Sequence, residues 1–148
     1  MTGLPLIVGL GSPHGDDQAG WCVIDALLDC GISTDQARAA RTPAELWDWC
    51  DRHRSLTICD AGVDCGLAGS THCWSWPEQS LPLSRGGTHD LALGDVLTLG
   101  QMLGMSPERV TIWTITGTAF LPHSPPAEAV VNAATGLAVR LAEGLRHA

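Results

Sequence analysis

One stretch near the start, LPLIVGLGSPHGDDQAG at positions 4–20, constrains the fold more than any other feature of the chain. Leu4–Leu10 is a short apolar run with Ile and Val, bounded by Gly and Pro, and predicts a buried strand. Gly9 and Gly11 let the backbone turn where a side chain would collide. Two adjacent carboxylates follow, Asp16 and Asp17, and then an apolar-periodic stretch, Trp21, Ile24, Leu27 and Leu28. The pattern is strand, Gly-rich turn, acidic pair, helix. In an open α/β sheet such a turn lies in the crevice at the carboxyl ends of the strands, where ligands bind. The acidic pair has two readings. One Asp suffices to cap a helix and suit its positive end; the second is then free to bind a cation.

Downstream the pattern alternates. The first helix is expected over about Gly20–Leu28, with Cys30–Gly31 as its stop, and Gln36–Ala40 as a short second strand. Thr42-Pro43-Ala44-Glu45 opens a helix to about Arg52, with Thr at the cap, Pro next and Glu three residues on. Ser55–Cys59 (SLTIC) reads as a strand running into Asp60 and Ala61–Gly62. Asp60 has its own double reading, as a turn-initiating Asp or as a carboxylate in the same crevice as Asp17. Thr71–Trp76 alternates as a half-covered strand, and Pro77–Gly87 reads as loop. His89 stands at the start of a helix expected over about Asp90–Leu103. A charged imidazole there would face the positive helix end, so a neutral His, available as a ligand, is expected. Val110–Ile115 is the last strand, and Ser124-Pro125-Pro126 is expected to cap a final helix to about Leu145.

The order βα(β)αββαβα predicts a single domain over residues 1–148, a three-layer αβα sandwich. Its central, mainly parallel sheet should have about five strands, flanked by about four helices. The 148 residues suffice to bury about two-thirds of the unfolded surface. A net charge of −8 argues against nucleic acid or an anionic membrane surface as partner. All the basic residues are Arg, so a Walker A loop and Schiff-base chemistry are excluded. No run has the length of a membrane span or a signal peptide, which makes the cytoplasm the expected compartment. The six cysteines form no CxxC pair and read as buried thiols. Cys59, Cys65, His72 and Cys73 come nearest to a soft-metal cluster, at a spacing that matches no standard zinc module.

Asp17, Asp60 and His89 therefore stand at three strand ends or helix starts, two carboxylates and an imidazole that suit a borderline divalent ion such as nickel or zinc. With VGLGSPHGDDQAG, ICDAG and THDLALGDVL in this order over nearly its whole length, the chain resembles the hydrogenase maturation proteases. These endopeptidases trim the large subunit of nickel–iron hydrogenases. The resemblance implies that Asp17, Asp60 and His89 form the metal-binding and catalytic set, and it places the family's first acidic residue on Asp16, in a supporting role. The nickel would arrive with the partner, the precursor of a nickel–iron hydrogenase large subunit, and no organic cofactor is implied. The free protein is expected to be a monomer. The chain departs from the family pattern in three places: Ser12 stands where Asn is usual, in a turn one residue shorter; only the Thr of a Gly-Gly-Thr remains near Arg41–Thr42; and Thr116-Gly117-Thr118-Ala119 replaces a Pro-Glu. Two other functions compete. A dinucleotide-binding protein is disfavoured because His14 replaces the third glycine and two carboxylates would repel a pyrophosphate. A non-catalytic metal-dependent chaperone or binding module would keep the fold without cleavage.

Overall fold

The computed structural model describes residues 5–49, 54–63, 66–76, 93–104, 107 and 109–147. The run at the start forms β1, Leu6–Leu10, with all five residues buried. After it come a 3-10 turn at Gly15–Gln18, α1 (Ala19–Asp29) and β2 (Ala37–Ala40). A 3-10 helix at Pro43–Asp48 leads to β3 (Ser55–Gly62) and β4 (Thr71–Ser75), and then α2 (Leu93–Met102), β5 (Arg109–Thr116) and α3 (Glu128–Arg146) complete the order. The strands make one sheet in the order β2-β1-β3-β5-β4, in which β4 alone is antiparallel.

Alternation along the strands sorts the core into two layers, because successive side chains leave opposite faces of a sheet. Ile7, Ala37, Cys59, Ala61 and Ile115 pack with α1 and α3 on one face. Leu6, Val8, Leu10, Leu56, Ile58 and Ile112 pack on the other with α2 and the 3-10 helix. This is the expected three-layer αβα arrangement, and the expected second helix is the 3-10 segment.

Three details differ from the sequence reading. The Thr42 start signal works, since the Glu45 carboxylate accepts from the amides of Arg41 (2.6 Å) and Thr42 (2.9 Å). The described segment is nonetheless a tight 3-10 helix, pinned by the fully buried Leu46 and by Trp47 Nε1 donating to the Val96 carbonyl at 3.3 Å. Ser124 does not cap α3. Ala127 occupies the N-cap without a side-chain bond, and the Ser124 hydroxyl donates to the Leu121 carbonyl at 2.7 Å. Finally, β3 does not stop at Cys59; it continues through Gly62 because β5 runs beside it as far as Thr116. The start expected for α2 at Asp90 and the loop 77–87 lie outside the described residues.

Candidate active site

The sheet order reverses at β1, which has β2 on one side and β3 on the other. This is the switch point at which α/β sheets bind ligands. Both acidic segments arrive there. The chain turns so tightly after β1 that the first residues of α1 press on the strand ends: a Cβ at Gly20 would lie 2.2 Å from the Leu10 carbonyl oxygen and 2.5 Å from that of Cys59. Gly20 against Cys59 of β3 places the 3-10 turn carrying Asp17 beside the strand that carries Asp60.

Asp60 is buried, 8% exposed, inside the strand instead of after it. Its Oδ1 accepts from the Ala61 amide at 2.8 Å. Burial pushes the carboxyl well above the usual carboxylate range, the charge of Asp17 pushes it further, and the Ala61 amide only partly opposes them. Two acidic side chains are thus held together, and the one in the poorly solvated place resists ionisation. Asp17 is half-buried and accepts a hydrogen bond from the Ser12 hydroxyl. Ser12, which the sequence marked only as a departure from the family pattern, therefore orients Asp17. Its signal was the five-residue spacing across a turn, which is common enough in any chain to pass unnoticed.

Asp16 faces the other way. Its side chain is closed off from solvent, and it accepts from the backbone amides of Thr118 (2.8 Å), Ala119 (3.0 Å) and Ala127 (2.8 Å), in the segment between β5 and α3. Burial works against its charge, but the amides of Ala127, Thr118 and Ala119 outweigh it and hold the carboxyl below its ordinary value. The linkage sign follows. A carboxyl lowered on folding adds stability that is fully present above its unfolded pKa and is lost as pH falls through the folded one. Urea melts of the wild type and Asp16→Asn between about pH 6 and 2 should converge as the pH falls. Parallel curves would mean that the amides do not hold a charge there.

His89 lies outside the described residues, so its place beside Asp17 and Asp60 belongs to the functional proposal below. Among the described residues no three His, Cys, Asp or Glu side chains gather as a metal-ligand set. For the soft-metal cluster the sheet supplies the reason. Cys59 and Cys73 both flank Trp113 on one face, while His72 pairs with Thr114 and leaves the other face; Cys65 is outside the described residues. Three thiols are also poor nucleophiles where they stand, since burial pushes those of Cys22, Cys59 and Cys73 up.

No protein-family model matches the sequence, and no curated protein matches it. Solved structures do. The hydrogenase maturating endopeptidase HybD from E. coli superposes with a TM-score of 0.76 at 21% identity, over 98% of this chain and 93% of that one. The [NiFe] hydrogenase maturation protease HycI from Thermococcus kodakarensis KOD1 gives 0.72 at 19% identity, over 98% and 94%. HybD from Thermococcus kodakarensis gives 0.68 at 20% identity, over 97% and 99%. With a five-stranded sheet of the expected kind and near-complete coverage of three such proteins, the chain has the fold of the hydrogenase maturation proteases.

Proposed function

We propose that the protein is an endopeptidase that removes the C-terminal extension from the nickel-loaded precursor of a nickel–iron hydrogenase large subunit. The observation that carries this reading is the Asp17–Asp60 pair, two carboxylates brought together at the switch point of this fold, with Asp60 buried and its charge opposed by its neighbour. Such a pair is unstable alone and favours a cation between its members. Asp17, Asp60 and His89 complete the coordination of an ion that the precursor's thiolates already hold. Two carboxylates and one imidazole are few and hard ligands for a soft or borderline metal. The free protein is accordingly a weak metal binder and reads the nickel instead of storing it.

The chain's own residues then have simple tasks. Ser12 keeps Asp17 turned toward the ion. Once an ion keeps the pair ionised, Asp17 or Asp60 is placed to take a proton from the attacking water. Bound nickel offsets the negative charge developing on the scissile carbonyl. No cysteine is needed, in keeping with the raised thiols. No helix among the described residues is long and apolar enough to cross a membrane, and the reading takes the protein as a cytoplasmic monomer when free.

The test compares nickel-loaded with nickel-free precursor by intact mass. Loaded precursor should lose its extension in one cut, and nickel-free precursor should stay whole even with excess nickel offered to the enzyme. Cleavage of metal-free precursor by metal-free enzyme would remove the nickel-reading role. Tight binding of loaded precursor with no mass change would make the protein a chaperone on a protease fold.

A further inference from the structure

Adjacent carboxylates in the same turn do opposite things, and the hydrogen bonds suggest why both are there. From within, the turn that presents Asp17 is held by the Ser12 hydroxyl on the Asp17 carboxylate and by the Ala19 amide on the Asp16 carbonyl. His14 at its N-cap makes no side-chain capping bond, and two of its backbone bonds, Ser12 N to Asp17 O and Asp17 N to His14 O, are long at 3.3 and 3.2 Å. The bonds that tie it to the β5–α3 segment are shorter than these two backbone bonds. The Asp16 amide donates to the Ala119 carbonyl at 2.7 Å, and the amides of Thr118 and Ala127 reach the Asp16 carboxylate at 2.8 Å. Further bonds extend this seam: the Gly15 amide donates to Ser124 O at 3.0 Å and Gln18 Nε2 to the same carbonyl at 2.8 Å. The seam is pressed tight as well, since a Cβ on Gly117 would stand 2.5 Å from the Cβ of Asp16. With three amides on its two oxygens and no exposure, the Asp16 carboxylate has no room for a metal or a substrate.

We propose that Asp16 is the positioning residue of the site: its buried carboxylate locks the acidic turn onto the β5–α3 segment, and this lock aims Asp17 at Asp60. The role deepens the protease reading and rests on it for its catalytic consequence, but the lock itself is testable in the free protein. A side chain that merely fastened a loop would steady residues 117–127 and leave the turn alone. A lock steadies both sides.

Two variants approach it from opposite sides. Asp16→Asn keeps the shape but turns one acceptor into an NH2 group that meets a backbone N–H. Gly117→Ala keeps the carboxylate and drives a methyl against the Asp16 Cβ behind it. Amide hydrogen exchange is read at Ile58 and Ile112 as a control for the fold, at Thr118, Ala119 and Ala127 across the seam, and at Ser12 and Asp17 in the turn. Both variants should keep the strand amides protected and speed exchange at Ser12 and Asp17 about tenfold or more. On loaded precursor, kcat should fall about tenfold while KM stays within about twofold, because only the aim of Asp17 is disturbed. Asp16→Glu, with a longer carboxylate in the same place, should recover part of both. Unchanged exchange at Ser12 and Asp17 beside accelerated exchange at Thr118, Ala119 and Ala127 would overturn the lock. So would a rise in KM at constant kcat. If the wild type cleaves nothing, the protease reading fails and the exchange result alone decides the lock.

Discussion

Asp60→Asn is expected to lower cleavage of the nickel-loaded precursor by on the order of 10³-fold while raising the melting temperature of the free protein. The two effects share one cause. In the wild type, a buried carboxyl stands beside the charge of Asp17, and both its burial and that charge oppose its ionisation. Asparagine has nearly the same shape, its carbonyl oxygen still accepts from the Ala61 amide, and it carries no charge to desolvate. Removing the conflict should stabilise the fold, by about 2–4 °C for each kcal/mol relieved in a chain of this size. The pH dependence follows from the sign of the shift. A carboxyl raised on folding costs nothing below its unfolded pKa, and the cost grows as pH rises toward the folded value. The gain of the variant over the wild type should therefore widen from about pH 4 upward. Calorimetry across that range, beside a mass assay of cleavage, reads both effects. A variant that melts lower than the wild type would make Asp60 a structural residue and leave the site without its second carboxylate.

Gly20→Ala should be among the most damaging single methyls in the described chain, at about 3 kcal/mol or more. The added Cβ meets two backbone carbonyl oxygens, at 2.2 and 2.5 Å, and neither can step aside as a flexible side chain would. Gly9 faces the same contact from the strand, where a Cβ would lie 2.1 Å from the Gly20 oxygen. Any relief must lift the start of α1 off Leu10 of β1 and Cys59 of β3, which moves the turn bearing Asp17 away from Asp60. The contrast is Gly144→Ala in α3, where nothing lies within 4 Å of the new methyl. That change should add about 0.5–1 kcal/mol, as expected for replacing an exposed helical glycine. Urea denaturation of the two variants makes the comparison. A Gly20 variant within about 1 kcal/mol of the wild type would mean that α1 does not rest on the strand ends.

What could be read in the sequence was local. β1 and β5 are apolar, β-branched runs, the helical stripes of α1 and α3 have the right period, and the Gly-rich turn signals the crevice by its glycines and carboxylates. What could not be read depends on partners far along the chain. β3 reaches past Asp60 because Gly62 pairs with Thr116 of β5. Ser124 loses the cap of α3 because the Ala127 amide finds Asp16, more than a hundred residues earlier. The neighbours Asp16 and Asp17 look alike in any one-dimensional reading. Only the arrival of residues 117–127 behind the turn gives one of them three amides and leaves the other beside Asp60.

The strand order also sets a timetable for folding. β5 lies between β3 and β4, both of which precede it, and those two strands make no ladder with each other. A chain emerging from the ribosome can pair β1 with β2 and β3, but β4 has no neighbour until Arg109–Thr116 appears. Until then the outer edge of β3 also stands open, the kind of unpaired edge that invites other chains. Insertion of β5 closes both edges in one event. Because Thr116 then secures Gly62, the same event fixes the strand around Asp60. An unfinished chain is therefore a protein without its cleft, and the last strand to arrive both seals the sheet and completes the site.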